Sequence, residues 1–72
     1  MLAEVKSAAK ATEIAATFLK QYYGFLRPIS ADKTNGTWLV KVDVGLYNKK
    51  IIKVVVDAST AEVVNYTPER EG

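Results

Sequence analysis

Two carboxylates and two lysines are spaced in a way that acid–base chemistry can use. Asp43 lies in the alternating stretch WLVKVDV, and Asp57 ends the stretch IIKVVVD. If these stretches are neighbouring strands, both carboxylates share one sheet face with Lys41 and Lys53. A carboxylate pair performs acid–base catalysis in a closed pocket that excludes water, and a short chain has little material for one. We therefore expect cross-strand charge pairs between these lysines and carboxylates, and no catalytic residues.

The composition excludes several classes of function. The 72 residues include ten Lys and Arg against eight Asp and Glu, a net charge of +2 that does not by itself indicate nucleic acid or anionic membrane. Cysteine and histidine are both absent, which excludes disulfides, thiolate chemistry, and the commonest general base and metal ligand. The chain is 49% hydrophobic and 25% charged, as in a folded domain. We expect one domain over residues 1–72 that is not an enzyme and uses no cofactor or metal.

The start of the chain bears on where the protein resides. Charges at Glu4, Lys6, Lys10 and Glu13 interrupt any apolar region of the kind that a signal peptide needs. No apolar run approaches the roughly 18 residues required to cross a bilayer. For a complete chain the sequence therefore predicts a cytoplasmic protein without membrane insertion, whereas for a domain of a longer protein the location stays open.

Residues 2–23 are predicted to form one amphipathic helix, ended by Gly24 in the left-handed conformation. Apolar or small side chains recur every three or four residues along it: Leu2, Val5, Ala9, Thr12, Ala16, Leu19 and Tyr23. Ser7 offers an alternative N-cap for a helix that begins later. The many alanines indicate close packing on a sheet, which disfavours a small-molecule cavity between the two layers.

Four strands are predicted after the helix. They cover residues 26–33, 37–44, 50–57 and 62–66, with a polar tail over 67–72. Pro28 marks the first as an edge strand, because proline cannot donate to a neighbour. Asn35-Gly36 is the strongest local signal for a hairpin. We expect an α+β fold of two layers, an N-terminal helix packed on a four-stranded antiparallel meander.

Alternation assigns the two faces of the sheet. The predicted buried set is Trp38, Val40, Val42, Val44, Ile52, Val54 and Val56. Four apolar residues then remain for the open face: Leu39, Ile51, Val55 and Val63. Scattered apolar residues are normal on a surface, but a contiguous patch indicates an interface. These four residues are our candidate interaction face, for a homodimer or for another protein.

Nucleic-acid binding is the alternative function. The residues that suggest it surround the second predicted hairpin: Lys41, Tyr47, Lys49, Lys50 and Lys53. Lysines beside an exposed aromatic on a sheet are typical of single-strand binders. Asp43 and Asp57 in the same region argue against this function, and lysine is also a common device against aggregation of sheet edges.

Three stretches resemble the PepSY and PepSY-like family of small domains. They are ATEIA in the predicted helix, WLVKVDV, and KVVVDASTAEVVNY, and the resemblance covers Ala8–Tyr66. It implies a binding or regulatory module that acts through a surface, without catalytic residues. Domains of this family usually lie outside the cytoplasm, a placement that the lack of a signal segment does not support here.

A more distant likeness is to the gas vesicle protein O family, which combines a helix with a sheet carrying a W-x-V-x-V strand. That family is an accessory in organelle assembly, and the present chain lacks its arginine- and tyrosine-rich ending. We therefore expect a non-catalytic protein-interaction or regulatory module, which the apolar residues of the sheet predict to self-associate through the open sheet face or the edge strand.

The last predicted turn departs from the PepSY-like pattern V-D-A-x-T-G-E-V. Where that pattern has glycine, this chain has Ala61. Glycine there implies a positive φ, which costs alanine on the order of 1 kcal/mol. The turn therefore either carries that strain or takes another form, such as a plain type I connection.

Overall fold

A computed structural model describes residues 5–69 as one helix followed by four strands. The elements are α1 (Ala8–Leu19), β1 (Arg27–Thr34), β2 (Thr37–Asp43), β3 (Ile51–Asp57) and β4 (Val63–Pro68). The strands form one antiparallel sheet in the order β1-β2-β3-β4, and α1 packs across one of its faces. The predicted two-layer α+β fold is confirmed.

The helix is shorter than predicted at its N-terminal end. Ser7 is the N-cap, with extended backbone at φ −137° and a side-chain oxygen that accepts the Lys10 N–H at 3.1 Å. This is the later start that the sequence offered as an alternative. Val5 precedes the helix and reaches the core from outside it. Residues 2–4 of the predicted helix lie outside the described residues.

The C-terminal end also differs from the prediction. After Leu19 the chain tightens, since the N–H groups of Gln21 and Tyr22 donate to carbonyls three residues back. Leu19 O accepts from both Tyr22 and Tyr23, which satisfies a carbonyl that a helix end otherwise leaves unpaired. Gly24 does not have the positive φ expected of it. The helix therefore ends by a tightened last turn and not by a left-handed glycine.

The core lies between α1 and the inner sheet face. On the helix, Ala11, Ala15 and Leu19 are fully buried, whereas the predicted contact Ala9 is exposed. The sheet supplies the predicted inward set, all of it buried: Trp38, Val40, Val42, Val44, Ile52, Val54 and Val56. Small alanines let the helix lie close to the valines, so the layers meet without a cavity among the described residues.

The segment before α1 is tied to the far end of the sheet. The Val5 N–H donates to Ala58 O at 2.7 Å, and Val5 O accepts from Trp38 Nε1 at 3.1 Å. The Ala58 N–H in turn donates to Gly36 O at 3.0 Å. The buried indole N–H thus has a partner, and one end of the domain is closed by bonds joining three parts of the chain.

The β1–β2 connection is the predicted hairpin, and the end of β4 differs from its prediction. Asn35 and Gly36 both have positive φ, at 48° and 78°, as the two-residue β1–β2 hairpin requires. β4 runs past the predicted end of the last strand, because Pro68 still pairs with Ile52. Proline is tolerated there since β4 is an edge strand. Residues 67 and 68 of the predicted tail therefore belong to the sheet.

The β3–β4 turn adopts the strained form. Asp57 O accepts the Ala61 N–H at 2.9 Å, and the Asp57 N–H donates to Glu62 O at 2.8 Å. Asp57 Oδ1 accepts from the Ser59 and Thr60 N–H groups, at 2.7 and 3.2 Å. Within this closed turn Ala61 has φ +65°, the left-handed conformation that glycine adopts without steric cost. The carboxylate of Asp57 is thus a turn-forming group and not a charge partner of lysine.

Ala61→Gly is expected to stabilise the protein. Relief of left-handed strain outweighs the added freedom of the unfolded chain by about 0.5–1 kcal/mol. Urea unfolding of both proteins measures the difference. The matched control is Ala58→Gly in the same turn, where the alanine is buried and has no positive φ. That control should lower the free energy of unfolding, and a loss of stability in Ala61→Gly would contradict the strain.

Candidate functional site

The open face of the sheet, opposite α1, carries two adjacent apolar residues at its centre. Leu39 and Val55 are directly opposite each other on β2 and β3, and both are partly exposed. Asp32 on β1 and Asn65 on β4 flank them in the same row. The structure therefore brings together two of the four residues of the predicted interaction face.

The other two residues do not join them. Val63 is opposite Val56 and packs against the core on the helix side, because Asp57 and Glu62 close the hairpin and set the register. Ile51 faces the open side opposite Asp43 but is only 6% exposed. The predicted orientation of Val63 is wrong, because its side chain faces the helix side. Ile51 faces the open side as predicted, but it is too buried to contact a partner.

The lysines of the open face are not paired as predicted. Lys41 and Lys53 lie directly opposite each other, so two like charges share one cross-strand pair. Lys41 Nζ lies 3.7 Å from Glu69 Oε1, at the end of β4. The expected pairing of these lysines with Asp43 and Asp57 is wrong, since both carboxylates accept other donors.

The remaining members of the predicted nucleic-acid surface lie around the β2–β3 loop. Tyr47 is 91% exposed, and Lys49 is exposed beside it. Lys50 Nζ lies 5.7 Å from the ring centroid of Tyr23, which packs against the core on the helix side. The structure thus separates Lys50 from the lysine pair on the open face, and the predicted cluster is divided between two sides of the sheet.

Asp43 organises the loop between β2 and β3. Its Oδ1 accepts the N–H groups of Gly45 and Lys50, at 3.0 and 3.2 Å, and its Oδ2 accepts Arg27 Nη2 at 3.2 Å. The side chain is 4% exposed, so every carboxylate bond is made to the protein. A Cβ at Gly45 would collide with the Asn48 carbonyl, so the bonded loop requires glycine at this position.

These bonds lower the pKa of the Asp43 carboxyl below its ordinary value. The Gly45 N–H contributes most, the Lys50 N–H next, and Arg27 adds a hydrogen bond and its charge, while burial acts in the opposite direction. Strand alternation placed Asp43 on the correct face but did not reveal this role. The available signal was an aspartate two residues before glycine at a strand end, where short acceptors commonly bond the following backbone.

An aromatic cluster lies where the end of α1 meets β4. The ring centroid of Phe18 is 5.0 Å from that of Tyr66 and 5.8 Å from that of Tyr22, both edge-on. Tyr22 and Tyr66 stack at 6.2 Å with their planes 20° apart, and they are 59% and 41% exposed. Sequence patterns did not reveal this cluster, because Tyr66 faces α1 only through the register shift at Val64 in β4. Without that shift, alternation from Val63 would place Tyr66 on the open face.

Two classes of feature are absent from residues 5–69. No group of three or more acidic side chains is arranged to hold a metal ion in this part of the chain. Over the same residues, no helix has the length and apolar character needed to cross a membrane.

Comparison with known proteins adds no further constraint. No family model, no curated protein and no solved structure matches this chain. The PepSY-like resemblance stays a prediction, and the function has to be inferred from the chain's own surfaces.

Asp43 is expected to make the stability of the protein depend on pH at the acid end. Its folded-state pKa lies below the ordinary value of 3.8, so the stabilisation is complete well above that value and is lost as the pH falls through the folded pKa. Asp43→Asn should unfold at lower urea concentration than the wild type at pH 7, with the gap narrowing below about pH 4.

Urea midpoints measured in steps from pH 7 down to pH 2.5 test this expectation. The matched control is Asp32→Asn, an exposed carboxylate on the same sheet face, and it is expected to change the midpoint little. A constant gap between Asp43→Asn and the wild type over the whole series would show that the ionised carboxylate does not stabilise the loop.

Proposed function

We propose that this domain is a non-catalytic protein-interaction module that self-associates through the edge of β4. The observation that carries this proposal is the aromatic cluster of Phe18, Tyr22 and Tyr66, whose two tyrosines are exposed, beside an edge strand without charged residues. A free strand edge offers unpaired backbone groups, and aromatic side chains are enriched in the centres of interfaces.

The contrast between the two edges supports β4 as the associating one. Both β1 and β4 are interrupted by a register shift, at Ile29 and Val64 respectively, and both of these residues are exposed. Each edge strand contains one proline, Pro28 in β1 and Pro68 in β4, but β1 also includes Arg27, Asp32 and Lys33, charged residues that protect an edge from pairing. β4 reads VVNYTP and has no charge along its length.

Pairing between two copies of β4 would involve both the free strand edge and the aromatic cluster. Antiparallel contact about a twofold axis extends each four-stranded sheet into one of eight strands. The same contact places the Tyr22–Tyr66 stacks of the two copies close to the shared edge. The PepSY-like resemblance supports the same class of function, since the role of that family rests on a surface without catalytic residues.

Val64→Lys is expected to abolish self-association. Val64 is 62% exposed on β4, so a lysine is tolerated by the monomer but has to be desolvated when two edges pair. Sedimentation velocity at tens of micromolar protein should show a dimer for the wild type and a monomer for the variant. The matched control is Ile29→Lys, a change of the equivalent exposed residue on the charged β1 edge, and this variant should remain dimeric. A wild type that stays monomeric would refute the proposal.

Nucleic-acid binding at the β2–β3 loop is a second candidate. It is supported by Tyr47, whose side chain is 91% exposed in the same short loop as the exposed Lys49, with Lys50 next in the chain. An exposed ring stacks on unpaired bases of any sequence, and neighbouring lysines neutralise the phosphates.

This second candidate predicts that a labelled single-stranded oligonucleotide binds with an affinity that falls steeply as salt is raised. The double variant Lys49→Glu, Lys50→Glu should abolish binding, as measured by fluorescence anisotropy. Reversal of Lys20 and Lys33, two exposed lysines elsewhere, serves as the control and should leave most of the affinity. Equal losses in the two variants would indicate non-specific attraction to a basic protein.

A further inference from the structure

Two neighbouring rows of the open sheet face combine apolar and basic side chains. Leu39 and Val55 form one row across β2 and β3, and Lys41 and Lys53 form the next. All four side chains are partly exposed. Rows two residues apart along a strand are separated by roughly 6.6 Å, so one bound element can contact both.

The row formed by Lys41 and Lys53, here called the lysine row, has more positive than negative charge. Lys41 and Lys53 are directly opposite, an arrangement that repels, and Glu69 lies within 3.7 Å of Lys41 only. Lys53 forms no ion pair with any residue from 5 to 69. Ser30 and Thr67 complete the row on β1 and β4 with hydroxyl groups. A carboxylate bound over this row relieves the repulsion and gains hydrogen-bond donors.

The acidic residues of the same face keep their charge, but among residues 5–69 only Glu69 is ion-paired with the lysine row, through Lys41. Asp43 is bonded to Arg27 and to the backbone of the β2–β3 loop, and Asp57 Oδ1 accepts two turn N–H groups. Asp32 lies beside Leu39, in the apolar row and away from the lysines. The carboxylate-binding capacity is therefore confined to the lysine row.

We propose that the open face binds an acidic amphipathic helix of another protein. Its apolar side chains lie over Leu39 and Val55, and its carboxylates lie over Lys41 and Lys53. Residues four apart on a helix are separated by about 6 Å along its axis, close to the spacing of the two rows. A helix aligned with the strands covers both, and the sheet then has a helix on each face.

A second copy of this chain does not fit that position. On the exposed side of α1, Glu13 is ion-paired with Lys10 at 3.0 Å, and Lys20 follows the last turn, so the helix has no spare carboxylate to offer the lysine row. The face also differs from the β4 edge, so this binding does not depend on self-association. A nucleic-acid strand is disfavoured because the row next to the lysines, Leu39 and Val55, has no aromatic ring on which bases could stack.

The test uses a synthetic alanine-based helical peptide with Leu and Glu four residues apart on one face. Two comparison peptides carry Lys in place of Glu, or the same residues in scrambled order. Titration into the full-length isotope-labelled protein should shift the backbone amide signals of β2 and β3 around the two rows. We expect binding by the first peptide alone, with an affinity that falls as salt is raised.

Charge reversal at the lysine row identifies the site. Lys53→Glu removes the repulsion opposite Lys41, so the fold should be kept, while affinity for the acidic peptide should fall about ten-fold or more. Lys33→Glu, an exposed lysine on the opposite side of the sheet, is the control and should bind as the wild type does. The same titrations in the Val64→Lys background exclude an effect of self-association.

Three results would overturn the proposal. They are equal binding of the scrambled peptide, unchanged affinity in Lys53→Glu, and signal shifts confined to β4 or the β2–β3 loop. If a single-stranded oligonucleotide shifts the open-face signals and the acidic peptide does not, the face is a nucleic-acid surface instead.

Discussion

The antiparallel register of β2 against β3 is the constraint on which the other features depend. It pairs Trp38 with Val56, Val40 with Val54 and Val42 with Ile52, an unbroken inner set. Because side chains alternate, a slip of one residue would expose all of these and bury the lysines. The same register sets Leu39 opposite Val55 and Lys41 opposite Lys53. Core and candidate surface are therefore two sides of one pairing, and neither can change without the other.

Sequence periodicity was sufficient for this central part of the fold. The alternation in WLVKVDV and IIKVVVD assigned the inward residues correctly, and Asn35-Gly36 fixed the first hairpin, because each signal acts over a few neighbouring residues. Val63 was misplaced for the opposite reason. Its orientation depends on which pair closes the β3–β4 turn, and a six-residue turn permits more than one answer.

The helix and the candidate site were harder to predict for a related reason. Val5 matches the helical period and yet precedes α1, because its burial comes from contacts with residues far along the chain. Asp43 was recognised as an acidic residue, but its partners depend on how the following loop closes. The aromatic cluster joins Phe18 to Tyr66. Contacts of this kind are products of the completed topology and leave no local pattern in the sequence.

The two surfaces proposed for binding, the β4 edge and the open sheet face, differ in their chemistry. The β4 edge offers backbone groups and aromatic rings, whereas the open face offers a row of charge next to a row of apolar groups. The first is suited to another strand and the second to an oppositely charged helix. Under the two proposals together, one domain would bind two partners at once, one at the β4 edge and one at the open face.

The bond between Val5 and Ala58 has a consequence for the order in which the chain folds. Each strand pairs with its neighbour in sequence, so the sheet can form by successive hairpins from local contacts. The Val5 N–H bonds to Ala58 O, far along the chain, and the Trp38 indole N–H that donates to Val5 O is in place only once β2 is paired. Because closing so long a loop costs conformational entropy, the bonds that close it are expected to form after the sheet. We therefore expect the N-terminal segment to dock in the final step and, on unfolding, to be the first part released.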